Sequence, residues 1–143
     1  MSVEDPSVVL LVEDEPLVRL VVAELLFEAG FRVIEAANAV EAVAVLDSGL
    51  GVDVVLSDVD MPPGIDGYDL AHEVRKRWPG VEVLVTSGRQ WPGPGDLPAG
   101  VAFIAKPCPN DALVLHVSSA AERARATRAA APAGNVIPFP KTA

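Results

Sequence analysis

Short apolar runs alternate with longer amphipathic stretches along the chain. The runs span residues 8–12, 31–36, 52–57, 81–86 and 102–105. Continuous apolar runs of this length are typical of parallel strands that are buried on both faces. Because helical stretches separate these strands, the pattern predicts an α/β fold with a doubly wound, five-stranded parallel sheet.

The helical stretches carry start and stop signals. Pro16 fits the first turn of a first helix, which we expect to stop at Gly30. Asn38, with Glu41 three residues later, gives the second helix a start that resembles a capping box. A third helix is predicted over 68–78 and a last one over 109–130. We therefore predict one domain over residues 1–130 and a disordered tail over 131–143.

The segment between the fourth and fifth strands lacks a helical pattern. Residues 88–100, "GRQWPGPGDLPAG", contain three prolines and four glycines. Interior prolines remove backbone donors and break helices, so we expect a mobile loop here. Trp91 within it has two interpretations: the favoured one is a cover for the core, and the other is an anchor for a partner.

Charge and composition exclude several classes of protein. The formal net charge is -9, with 20 acidic and 11 basic residues, which disfavours nucleic acid and anionic membranes as partners. The single cysteine, Cys108, excludes an internal disulfide. The N-terminal stretch is acidic and lacks the basic region of a signal peptide. We expect a cytoplasmic protein.

Polar side chains follow four of the five predicted strands. They are Glu13 and Asp14 after the first strand, Asp58 and Asp60 after the third, Thr86 at the end of the fourth and Lys106 after the fifth. The carboxyl ends of parallel strands meet at one edge of the sheet, where ligand sites form. Clustered carboxylates need a cation among them, and oxygen ligands favour Mg²⁺. A carboxylate can attack a phosphoryl group while a lysine and a hydroxyl hold its oxygens. The pattern predicts an aspartyl-phosphate site.

The motifs at these strand ends resemble a known family. "LLVEDEP", "VVLSDVDMP" with a later "DG", "VLVTSG" and "FIAKP" occur in this order, and together they are similar to the response-regulator receiver domains of two-component signalling. The resemblance covers roughly residues 7–125. Each motif alone is a weak signal, but four in order at matching strand ends are specific. The fold implied is flavodoxin-like.

The resemblance implies a role for each acidic residue. Asp58 would be the phosphoacceptor and a ligand of Mg²⁺, Asp14 would bind Mg²⁺ directly, and Glu13 would help through water. Asp60 would offer its backbone carbonyl to the metal. The Asp60 side chain lies two residues beyond the acceptor, and we hypothesise that it adjusts the lifetime of the phosphate.

The resemblance also implies roles at the fourth and fifth strands. Thr86 would hydrogen-bond the phosphoryl group, Lys106 would pair with it, and the aromatic ring of Phe103 would follow Thr86 as a switch. The bond between Lys106 and Pro107 would be cis, a form that proline tolerates. The implied partners are a sensor histidine kinase or a histidine phosphotransfer protein, and a downstream protein target.

Two features depart from the family pattern. The turn between Asp58 and the Asp66-Gly67 pair has one residue more than usual, and the proline-rich segment 88–100 stands where the family has its fourth helix. We therefore expect the fourth helix to be short or replaced by a loop.

Three functions are consistent with the sequence. The first is a single-domain response regulator: 37 residues follow Lys106 (143 minus 106), so we expect the output to be a protein partner rather than DNA bound by this chain. Such a protein is a phosphoacceptor and not a turnover enzyme. The second is a degenerate receiver that binds partners without phosphorylation. The third is a phosphatase, because "SDVD" also resembles the Asp-x-Asp signature of haloacid-dehalogenase-type enzymes.

Overall fold

The computed structural model describes residues 5–61, 66–89 and 91–135. These ranges contain five strands: β1 (Val8–Val12), β2 (Arg32–Ala36), β3 (Val54–Asp58), β4 (Glu82–Ser87) and β5 (Ala102–Ala105). Four helices accompany them: α1 (Pro16–Glu28), α2 (Ala39–Asp47), α3 (Gly67–Arg77) and α4 (Asn110–Asn135).

The strands form one parallel sheet in the order β2-β1-β3-β4-β5. The chain moves outward from β1 to β2 and then crosses to the other side of β1 to form β3. The strand order therefore reverses between β1 and β3, and this is the position where open α/β sheets form ligand sites. The prediction of a doubly wound, five-stranded parallel sheet is confirmed.

Alternate residues of each strand enter two separate cores, because successive side chains point to opposite faces of a sheet. Val9 and Leu11 of β1 pack with Leu26 of α1 and with α4. Leu10 and Val12 face the other core, which α2 and α3 cover. All five residues of β3 are buried. The sheet thus lies between two helical layers, which pack against both faces of its central strands.

The apolar residues of α1 do not all face the sheet. Leu26 is fully buried, whereas Leu17, Leu20 and Val21 are exposed. The helix "PLVRLVVAELLFE" is apolar around much of its circumference, so its periodicity could predict a helix but could not identify the buried face. An apolar surface remains open on α1.

The amino ends of the strands are fixed by charge. Asp53, which directly precedes β3, is 7% exposed, and its Oδ2 accepts a hydrogen bond of 2.7 Å from the backbone N–H of Val8. Arg128 of α4 forms an ion pair with the same carboxylate, and Arg125 donates to Ser7 Oγ at 2.8 Å. The arginines of the last helix therefore attach it to the amino ends of the strands, which form the lower edge of the sheet.

No helix is present in the described part of the segment between β4 and β5, which confirms that a loop replaces the fourth helix. The loop packs on α3, where His72 Nε2 lies 3.0 Å from the carbonyl oxygens of both Gly95 and Asp96. The predicted mobility of this loop stays a prediction.

Two other predictions concern the C-terminal tail and the turn after β3, where some residues lie outside the described ranges. Helix α4 continues to Asn135, five residues beyond its predicted end, and residues 136–143 of the predicted tail lie outside the described residues. The extra residue of the 61–67 turn falls at 62–65, which also lies outside them. In the described ranges, no helix has the length and apolar character needed to cross a membrane.

Candidate functional site

Three carboxylates meet at the carboxyl edge of the sheet. Glu13 and Asp14 follow β1, and Asp58 is the last residue of the neighbouring strand β3. One carboxylate oxygen from each of them lies within 4.8 Å of the other two. Glu13 and Asp58 are 6% and 7% exposed, while Asp14 is more open. The structure thus brings together the three side chains predicted to hold Mg²⁺.

Lys106 reaches this cluster from the end of β5. Its Nζ lies 3.3 Å from Asp58 Oδ1 and 3.9 Å from Glu13 Oε1. The backbone N–H of Lys106 donates to the carbonyl of Ser87, which fixes the residue beside the end of β4. The peptide bond from Lys106 to Pro107 is cis, as predicted.

Burial makes the ionised forms of the Asp58 and Glu13 carboxylates less favourable. Burial raises the pKa of Asp58 above its ordinary value despite the Lys106 charge, and the Asp60 charge adds to the increase. Burial likewise raises the pKa of Glu13, with smaller increases from the Asp58 and Asp14 charges, while the Glu15 N–H and Lys106 oppose them. A divalent cation would remove this repulsion, and three carboxylates with no thiolate or imidazole suit Mg²⁺. The residues therefore fit the metal that the sequence predicts.

Thr86 lies directly beside Asp58 in the sheet. The two residues are register partners in the β3–β4 pair, and the Thr86 carbonyl accepts a 2.9 Å hydrogen bond from the Val59 N–H. Thr86 lines the same cavity as Asp58 and Lys106. This arrangement agrees with the predicted contact between the Thr86 hydroxyl and a phosphoryl group on Asp58, which stays a prediction.

The predicted switch residue contacts the loop that replaces the fourth helix. The rings of Phe103 and Trp91 are tilted by 50°, with centroids 5.2 Å apart. Trp91 is nevertheless 74% exposed. It covers Phe103 with part of its surface and leaves the rest open, which differs from the core-covering position that the sequence favours. The switching role of Phe103 stays a prediction.

Asp60 lies at the rim of the site. Its carboxylate Oδ2 accepts a 3.2 Å hydrogen bond from Ser87 Oγ, and its charge acts on the Asp58 carboxylate. The predicted contact between the Asp60 carbonyl and a metal stays a prediction. Ser87 was not identified from the sequence, although its position next to Thr86 at a strand end was a usable signal.

Two further residues shape the site without being predicted to do so. A Cβ atom on Gly67 would lie 2.4 Å from the Asp58 carbonyl oxygen, so the start of α3 can approach the end of β3 only with glycine there. Arg19 of α1 donates to the Glu13 carbonyl at 2.8 Å and holds the end of β1. The Asp-Gly pair signalled the first contact, but no local pattern signalled the second.

Comparison with known proteins gives a consistent result. Residues 9–118 match the family model of the response regulator receiver domain. A sensor kinase CckA from Brucella abortus is 43% identical over 83 residues, which are 57% of this chain and 9% of that protein. The chain therefore spans only a small part of this curated relative.

Solved structures agree with the sequence matches. The receiver domain of a hybrid histidine kinase CckA is 35% identical, with a TM-score of 0.68, and the match covers 80% of this chain and 99% of that one. The response regulator TrrA from Thermotoga maritima, in complex with Mg(2+)-BeF, is 29% identical with a TM-score of 0.73, over 80% and 98% of the two chains. The chain belongs to the response regulator receiver domain family of two-component signalling.

Proposed function

We propose that Asp58 accepts a phosphoryl group from a histidine of a sensor kinase or phosphotransfer protein in a Mg²⁺-dependent reaction. The observation that carries the proposal is the Asp58 carboxylate, buried between Glu13, Asp14 and Lys106 at the carboxyl edge of the sheet. The Mg²⁺-BeF complex of the TrrA relative supports it, because that protein binds the metal together with a fluoride of beryllium.

The proposed reaction uses groups that already surround Asp58 in this structure. An Asp58 oxygen forms a bond to phosphorus while the bond from phosphorus to the donor nitrogen breaks, and the electron pair leaves on the imidazole, which is neutral when its other nitrogen is protonated. Lys106, 3.3 Å from Asp58, compensates the charge on the transferred oxygens. Bound Mg²⁺ would supply further positive charge to those oxygens, and Glu13, Asp14 and Asp58 would hold it.

A protein donor fits the surface beside the site. Of the nine large apolar side chains that are exposed in the described residues, five lie on α1. Val18 of α1 lines the same open depression as Asp58 and Lys106. A partner seated on α1 could therefore bury apolar area while it holds a histidine above Asp58. We propose that the signal leaves through a second protein contact, and the stand-alone character of the receiver stays a prediction.

The test is phosphorylation by a small donor. The protein is incubated with acetyl phosphate and MgCl₂ and weighed intact, beside Asp58→Asn and a sample that contains EDTA. We expect a single phosphoryl adduct in the wild type and none in the other two. Folded protein that binds Mg²⁺ but gains no adduct would overturn the proposal and favour the degenerate receiver.

We also propose that the chain is not a turnover enzyme. A phosphatase of the Asp-x-Asp type would need Asp60 to act as an acid and base toward many substrate molecules. Incubation with a generic phosphomonoester distinguishes the two possibilities. We expect no Mg²⁺-dependent release of product, and steady release that is lost in Asp58→Asn would contradict this proposal.

A further inference from the structure

A buried hydroxyl connects the rim of the acidic site with the end of β4. Ser87 is 3% exposed and is the last residue of that strand. Its Oγ lies 3.2 Å from Asp60 Oδ2 and also 3.2 Å from the backbone nitrogen of Arg89. Ser87 therefore contacts both the Asp60 side chain and the first part of the loop that replaces the fourth helix.

The chemistry of the two neighbours fixes the direction of both hydrogen bonds. The Arg89 N–H can only donate, so it uses a lone pair of the Ser87 oxygen. An ionised carboxylate can only accept, so the Ser87 proton points to Asp60. The Arg89 amide thus keeps the Ser87 hydroxyl turned toward the carboxylate.

Asp60 in turn acts directly on the phosphoacceptor. The charge of its side chain acts on the Asp58 carboxylate, two residues away in the chain. Asp58 and Asp60 line the same open depression. Repulsion between their like charges favours movement of the Asp60 carboxylate toward solvent, and this repulsion would increase with a phosphoryl group on Asp58. The bond from Ser87 opposes that movement.

We propose that Ser87 is a positioning residue that holds the Asp60 carboxylate at the rim of the site, where Asp60 accelerates hydrolysis of phosphorylated Asp58. This inference rests on the proposed function. In the hydrolysis, a water oxygen bonds to phosphorus, and the bond from phosphorus to the Asp58 oxygen breaks with its electron pair on the carboxylate. Dihydrogen phosphate leaves with both hydrogens of the water. The Asp60 carboxylate accepts a hydrogen bond from this water and orients it for attack.

The experiment measures the decay of the phosphorylated protein. The full chain is phosphorylated with acetyl phosphate and MgCl₂, the donor is removed by rapid desalting, and the adduct is followed by intact mass. The variants are Ser87→Ala, Ser87→Thr, Asp60→Asn and the double variant Ser87→Ala/Asp60→Asn. Ser48→Ala is the matched control, because the Ser48 hydroxyl bonds Val45 at the exposed end of α2.

We expect decay to slow roughly tenfold in Ser87→Ala and in Asp60→Asn, the scale of one lost hydrogen bond to a charged group. The double variant should decay no more slowly than Asp60→Asn, because Ser87 acts through Asp60. Ser87→Thr should restore the wild-type rate, since it keeps the hydroxyl, and Ser48→Ala should not change it.

Wild-type decay in Ser87→Ala, or effects of the two single variants that multiply in the double variant, would overturn the inference. Ser87→Cys replaces Ser87→Ala if the alanine variant does not fold, and it should also slow decay because a thiol is a weak donor. Absence of any adduct before desalting would instead overturn the proposed function, so the two failures are distinguishable.

Discussion

Buried carboxylates have opposite surroundings at the amino ends of the strands, called here the lower edge of the sheet, and at their carboxyl ends, called the upper edge. At the lower edge, Asp53 is paired with Arg128 and accepts a backbone N–H from Val8. At the upper edge, three carboxylates lie within 4.8 Å of one another, and the salt bridges that reach Glu13 and Asp58 in the described residues both come from Lys106.

The comparison shows how to distinguish a structural acid from a functional one. Asp53 directly precedes β3 and Asp58 ends it, so the two carboxylates lie at opposite ends of the same strand. Both are 7% exposed, and burial alone therefore does not separate them. The difference is the balance of charge: the partners of Asp53 compensate its charge, whereas the upper cluster holds more negative charge than Lys106 can compensate. Such an excess indicates a site that takes a cation.

The largest effect should follow from removing the positive charge of Lys106 at the upper edge. Lys106→Met should reduce the rate of phosphorylation by acetyl phosphate about 100-fold, because one donor to the transferred oxygens is lost. Initial rates of adduct formation, measured by intact mass at saturating MgCl₂, test this. Lys76→Met on the exposed face of α3 is the control and should react like the wild type. Equal rates for the two variants would contradict the role of Lys106.

At the lower edge, loss of a carboxylate should destabilise the fold. Asp53→Ala should lower the free energy of unfolding by about 2 kcal/mol, because the Val8 N–H and the Arg128 guanidinium both lose a partner. Urea unfolding measures the change. Asp47→Ala, which removes an exposed ion pair with Arg77, should cost only about 0.5 kcal/mol. If Asp53→Ala and Asp47→Ala lowered the free energy of unfolding by similar amounts, the contacts of Asp53 would contribute no more than an exposed ion pair.

At the upper edge, the same kind of change should have the opposite sign. Asp58→Asn should raise the free energy of unfolding at pH 7 in EDTA by about 1 kcal/mol, because it removes a buried and incompletely compensated charge. Urea unfolding in EDTA provides the measurement, with Asp53→Asn as the isosteric control. Destabilisation by both amides would remove the distinction between the two edges.

The smallest effect, a dependence on pH, should sharpen the same comparison. In the folded chain burial raises the pKa of Asp58 and of Glu13, so protonation favours folding. This contribution is complete below the unfolded pKa of about 4 and is lost as the pH rises through the folded values. The advantage of Asp58→Asn over the wild type in EDTA should therefore be absent below about pH 4 and grow toward neutral pH.

Urea titrations of wild type and Asp58→Asn at several pH values measure this difference, because contributions from groups that do not interact with Asp58 cancel, whereas Glu13, which interacts with it, adds to the difference. Saturating MgCl₂ should abolish it at neutral pH, because metal binding and protonation compete for the same oxygens. A difference that is independent of pH would show that Asp58 is not responsible.

The sequence predicted those parts of the fold and site that depend on local pattern. The apolar strands marked the sheet, and polar residues at their carboxyl ends, such as Asp58 and Lys106, marked the edge where a site forms. Asn38 was correctly identified as the start of α2, where its side chain accepts the Glu41 N–H at 2.9 Å. Each of these signals lies within a few residues of the feature that it predicts.

The remaining features depend on distant contacts or on the phase of a helix. No local pattern could pair Arg19 with the Glu13 carbonyl or Ser87 with Asp60, since these contacts exist only after the strand ends have met. The buried face of α1 was also beyond sequence reasoning, because apolar residues occupy both of its faces. The high exposure of Trp91 could not be inferred either, because a proline-rich loop has no periodicity from which exposure could be read.

The attachment of α4 to the lower edge has a consequence for biosynthesis. Arg125 and Ser7 are 118 residues apart in the chain, and Arg128 and Asp53 are 75 apart. Contacts of such long range form late and slow the folding of a domain. Because α4 covers the face of the sheet that Val9 and Leu11 line, this face stays uncovered until α4 has been synthesised. Until then, the apolar side chains of this face remain exposed and prone to aggregation.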